Sequence, residues 1–138
     1  MSYYETSQNR SHESEIATAA GLRWSLEPIE APVFCVVDGL FLKNGKPYAF
    51  FEIKKRSYAL SQLSSVFIDK AKLDKAYRGA ERMGCNLILL FEFEDGRFFC
   101  PITSMPDFEV TIGGPQTKRD DYDRDEIYLV PQSSWQSL

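Results

Sequence analysis

Three charged side chains interrupt otherwise apolar runs: Asp38, Glu52 and Lys54. Charge inside a buried strand is costly unless it is paired or bound to a metal. Glu52 and Lys54 are two residues apart, so both leave the same face of one strand. Two carboxylates and an ammonium converging on a sheet face suggest a divalent-metal site. Hard cations such as magnesium take one or two carboxylate oxygens and keep water or phosphate oxygens as their other ligands. The plain alternative is a structural ion pair between Lys54 and one of the two acids.

Positioning these groups falls to the stretch from Val37 to Arg56, VDGLFLKNGKPYAFFEIKKR. It reads as two strands joined at Asn44-Gly45, a strong hairpin signal. Parity decides whether Asp38 joins the other two. A flat two-residue hairpin pairs Lys43 with Lys46 and hence Val37 with Glu52, which turns Asp38 to the opposite face. A three-residue loop, or a bulge of equivalent effect, puts Asp38 on the face of Glu52 and Lys54. Pro47 cannot donate to the ladder, which favours irregularity there. The expectation is therefore a three-residue loop or a bulge.

Asp38, a hairpin, then Glu52-Ile53-Lys54 resembles the core of the PD-(D/E)XK nuclease superfamily, in particular its Holliday-junction-resolvase-like and small phage-type members. The resemblance spans roughly Glu13 to Pro101. It departs from the usual pattern at Val37, where proline is common, but that proline binds no metal. The resemblance implies a structure-selective DNA endonuclease in which Asp38, Glu52 and the Ile53 backbone carbonyl hold Mg2+, with Mn2+ as substitute. Lys54 would orient water or stabilise charge on the phosphate. Lys55 and Arg56 would track the DNA backbone. Relatives often carry a Glu on the first helix, and Glu13 is the candidate, since Ile16 and Ala20 lie three and seven residues on, with Glu15 the fallback. Relatives also often carry a lysine on the second helix, here Lys72, which would bind a phosphate. A homodimer and a bacterial or phage origin, hence a cytoplasmic location, are implied likewise.

Bulk properties bound these readings. The chain of 138 residues makes one domain with a core of its own. No apolar run is long enough for a membrane span, and no signal peptide opens the chain. Cys35, Cys85 and Cys100 lie far apart, which reads as three buried thiols rather than a zinc site or disulfide. The net charge is −4, against non-specific nucleic-acid binding. Yet between Lys43 and Arg82 ten Lys and Arg face four Asp and Glu, a local +6 that suits phosphate contact.

The fold expected is α/β, a restriction-endonuclease-like core with a central mixed sheet flanked by helices, in the order α-β-β-β-α-β plus a C-terminal strand region. Residues 1–10 read as a poorly ordered start and 11–138 as a single domain, with core 13–101 and extension 102–138. Ser11 caps a helix ending at Gly21, and a strand begins in Leu22–Glu27. Pro28–Pro32 reads as a loop or edge, and Val33–Leu42 and Pro47–Lys54 as the hairpin. Ser57 or Ser61 caps a long helix from Leu60 to Met83, ended by Gly84. Strands follow at Asn86–Phe93, Arg97–Cys100, Val110–Ile112 and Ile127–Val130, with Trp135 packing the tail on the body. Pro106-Asp107 repeats half of the nuclease motif, but no ExK follows. Asp121-x-Asp123-x-Asp125 resembles a calcium loop but lacks its glycine and its last glutamate. Two other classes stay open: an inactive nuclease-like module that binds DNA or protein in a phage or replication assembly, and a purely structural α/β protein.

Overall fold

A computed structural model of the chain describes residues 7–31, 37–112 and 125–138, with the backbone alone for 7–14. A six-stranded mixed sheet runs in the order β1-β2-β3-β5-β6-β9. Its strands are β1 (Glu27–Glu30), β2 (Gly39–Lys43), β3 (Lys46–Lys55), β5 (Asn86–Phe93), β6 (Gly96–Ile102) and β9 (Gln136–Ser137). Among the described residues only β3 and β5 pair in parallel; the other neighbours in this sheet are antiparallel. A second sheet, β4 (Ser65–Asp69), β8 (Glu126–Pro131) and β7 (Glu109–Ile112), packs nearby. The architecture is the expected α/β with a restriction-endonuclease-like core.

β5, NLILLFEF, is apolar on both sides because both sides are covered. On one face Ile88 and Leu90 join Phe41, Ala49 and Phe51 beneath Ile16, Ala17 and Ala20 of helix α1 (Ser7–Trp24). On the other, Leu87, Leu89, Phe91 and Phe93 meet helix α2 (Lys70–Arg82) and the inward side chains of the small sheet. In α2 the buried residues Leu73, Ala76, Tyr77 and Ala80 recur at one-turn spacing. Asp74 is buried among them, accepting from Lys70 Nζ (2.8 Å) and from Tyr128 Oη (2.5 Å), which ties α2 to β8.

Several expected boundaries are corrected. The first helix spans Ser7–Trp24 and runs beyond Gly21, so Leu22–Trp24 is helical and the strand expected in Leu22–Glu27 opens only at Glu27. Gly21 serves close approach instead of termination: a Cβ there would lie 2.6 Å from the Leu26 carbonyl oxygen. Ser25, in the left-handed region (φ 57), makes the turn out of the helix, and Leu26 N–H donates to Gly21 O (2.8 Å). The long helix from Leu60 is not one helix. Leu60–Gln62 is a single 3-10 turn, Ser65–Asp69 is β4, and α2 starts only at Lys70. Phe67, within that expected helix, is 59% exposed, whereas its neighbour Val66 is fully buried. Val66-Phe67-Ile68 favours a strand, and β8 supplies the partner from sixty residues further on. The cap of α2 is accordingly Asp69, whose Oδ1 accepts from Lys72 N (3.1 Å), and neither Ser57 nor Ser61.

Other expectations hold. Gly84 (φ 70) follows α2, with its N–H and that of Cys85 bonded back into the last turn. Trp135 is buried against Phe91 and Phe93. Cys85 and Cys100 are free and buried; Cys35 lies outside the described residues.

Candidate active site

The hairpin tip is a two-residue turn after all, since Lys43 pairs with Lys46. Asn44 (φ 54) and Gly45 (φ 78) both take positive φ, as a type I′ turn requires. The parity is then reset by a bulge. Leu42 pairs with Pro47 but Phe41 pairs with Ala49, which leaves Tyr48 as an extra residue on β3. Gly39 therefore faces Phe51, and Asp38, the residue before it, lies close enough for its charge to act on Glu52.

Pairing of β2 with β3 stops at this point, and the Asp38 side chain takes over from the backbone. Asp38 N–H donates to Phe51 O (3.1 Å), and Ile53 N–H donates to Asp38 Oδ2 (2.6 Å). This short bond fixes the Asp38 carboxylate near Glu52. The neighbouring Gly39 is required by space: a Cβ there would sit 2.2 Å from the Phe51 ring and 2.4 Å from the Ile29 oxygen.

Glu52 is the electrostatically unusual member. Burial, and then the neighbouring Asp38 charge, push its pKa up to about 7, against the opposing pull of Lys54 and Lys72. A carboxylate raised by burial and by a neighbouring carboxylate marks a site short of positive charge. Lys54 is exposed two residues along β3, and Lys55 after it is exposed as well. Arg56 is half-buried, with its guanidinium 5.3 Å from the centre of the Phe91 ring and its backbone N–H on Glu92 O (2.8 Å).

A cavity of about 150 Å³ opens beside Glu52, between β3 and the first turn of α2. Lys54, Arg56 and Lys72 contribute its positive charge, and Asp69 a second carboxylate. Its apolar wall comes from Ile68, Leu73, Leu89 and Phe91. The sequence reading missed Asp69 and this wall, because both depend on β4 lying where a helix was expected.

Glu15, the fallback helix carboxylate, is exposed and paired with Arg97 (3.3 Å). Glu13 lies on α1, and its side chain is outside the described residues. The described inner residues of α1 pack on the sheet face opposite Leu89 and Phe91. Among the described residues no cluster of three or more His, Cys, Asp or Glu is poised for a metal. The donor set at the hairpin is instead two hard carboxylates, which suits an ion that keeps water and phosphate ligands. The raised pKa of Glu52 is relieved when a cation replaces its proton.

A family model described as phage putative PDDEXK endonuclease matches residues 2–138. The chain belongs to that family. The match runs through the C-terminal strands as well as the hairpin, so the family unit includes β7, β8 and β9. A search of curated proteins finds no match. Among the described residues no helix is long and apolar enough to cross a membrane.

Proposed function

We propose that the protein is a metal-dependent DNA endonuclease that selects its substrate by DNA structure rather than by sequence. The observation that carries this reading is the bulged hairpin with the Asp38 carboxylate near enough to Glu52 to help raise it to about 7. Asp38, Glu52 and the Ile53 carbonyl would hold the ion, magnesium for preference and manganese in its place. When bound it supplies a Lewis acid for the phosphodiester and a water of lowered pKa. Lys54 directs its ammonium at the attacked phosphate, orienting the nucleophilic water and offsetting charge that develops in the transition state. Ile53 N–H keeps Asp38 oriented throughout. Lys55, Arg56 and Lys72 contact phosphates without reading bases. Glu13 is assigned to an outer-shell water or a second ion. A structure-selective cut of the resolvase or phage-processing kind fits the family.

Supercoiled plasmid incubated with Mg2+ or Mn2+ tests the reading. Nicking is expected with the wild type and absent from Asp38→Ala, Glu52→Ala and Lys54→Ala; the last two should keep an unfolding midpoint near that of the parent or above it, whereas Asp38→Ala, which strips Ile53 N–H of its acceptor, should fold with a modestly lower one. Undiminished nicking by Glu52→Ala would overturn the assignment. The second reading, a binding module without activity, would show DNA retention and no nicking by the wild type under either metal.

A further inference from the structure

The cavity beside Glu52 has two chemically distinct sides. Lys54, Arg56 and Lys72 suit a phosphate, but Ile68, Leu73, Leu89 and Phe91 do not. A site for phosphate alone gains nothing from four apolar side chains. A nucleotide has both an anion and a ring, and small-molecule sites of this mixed kind are apolar with a few placed polar groups. The volume, about 150 Å³, is also informative. A cavity of roughly that size walled by Leu, Ile and Phe accepts one benzene-sized ring. Asp69 adds a directional element. Its carboxylate is fixed by Lys72 N–H at 3.1 Å and lines the same cavity, where it offers an acceptor to a base amino or imino group.

We propose that this cleft takes one unstacked, pyrimidine-sized base beside the cleaved bond, so that the substrate is DNA carrying an unpaired nucleotide at the cut. A base held in continuous duplex cannot enter a concave site; it must be single-stranded, splayed or flipped, and mispaired bases are the cheapest to extract. The proposal rests on the endonuclease reading for its position next to the scissile phosphate, and its binding component can be judged separately.

The test has two arms. In metal-free, isotope-labelled protein, dCMP at millimolar concentration should shift the amide signals of Asp69 and Lys72 and the methyl signals of Ile68 and Leu73. Inorganic phosphate at the same concentration should leave those methyls unmoved. Ile68→Phe, which fills the cleft from its own wall, should weaken dCMP binding by about tenfold or more. Asp69→Asn retains a capping oxygen and hence the start of α2, and should weaken it severalfold. Equal methyl shifts with phosphate, or wild-type dCMP binding by both variants when folded, would overturn the cleft. In the second arm, with Mg2+, a splayed duplex should be cut at least about tenfold faster than the fully paired duplex of the same sequence. Equal rates would overturn the substrate proposal and leave the endonuclease standing. No cutting of any DNA would overturn the endonuclease reading, and the binding arm would still decide the cleft.

Discussion

Among the described carboxyl groups Glu52 is the one whose pKa is raised. Its pKa is raised to about 7 by burial and by Asp38, so folding favours its neutral form. Stability from this group is therefore full at low pH and is lost as pH rises from the ordinary carboxylate range through 7. Above that range ionised Glu52 costs on the order of 3 kcal/mol in the metal-free protein. Glu52→Gln should accordingly raise unfolding free energy by roughly 2–3 kcal/mol at pH 8 and by little at pH 4.5, read by urea denaturation at both pH values. A gain independent of pH would mean that ionisation is not the cause. The same proton competes with any cation. Thermal stabilisation by Mg2+ should weaken steadily below pH 7 and level off above it, and it should vanish in Asp38→Ala.

At the scale of elements, one bulge decides the site. Tyr48 shifts the ladder by one residue, and without it Asp38 would face away from Glu52. The sequence made this legible because Asp38, Glu52 and Lys54 could share a face only through an irregular hairpin, and Pro47 marked where irregularity was tolerable. The same reasoning failed at Leu60–Asp69. Local spacing there resembled a helical stripe, and the information that selects a strand resides in β8, far along the chain. Asp69 before a lysine-rich run was the missed signal, an N-cap residue at the true helix start. Asp69→Ala should thus cost about 1 kcal/mol and Asp69→Asn close to nothing, by chemical denaturation. Gly39 imposes a harsher limit. A methyl group there meets both the Phe51 ring and the Ile29 carbonyl, so Gly39→Ala should lose about 3 kcal/mol or more and disturb the hairpin that carries Asp38. An unfolding midpoint unchanged by Gly39→Ala would contradict the close approach.

At the scale of the whole molecule, residues beyond Pro101 are structural partners of the site, although their sequence reads as an appendage to the nuclease core. β8 pairs with β4, and β4 leads directly into Asp69 and the cleft. Gln132 Nε2 donates to Leu60 O (3.1 Å) and Leu63 O (2.9 Å), which pins the segment between β3 and β4 from the C-terminal side. Asp95 holds the other side, accepting from Leu60 N (2.8 Å) and Ser61 N (3.1 Å). Trp135 then seals the sheet face, with its ring centre 4.6 Å from that of Phe91, and Phe91 in turn supports the Arg56 guanidinium and lines the cleft. The chain end and the proposed DNA contact are thus two layers of one aromatic stack. Trp135→Ala should cost about 3–5 kcal/mol, a large share of what a domain of this size possesses. Trp135→Phe keeps a ring in place and should recover most of that loss. Urea unfolding measures both, and the decisive outcome is their order. If Trp135→Ala unfolds no more readily than Trp135→Phe, the tail is an ornament on the core and the stack through Phe91 does not support the cleft.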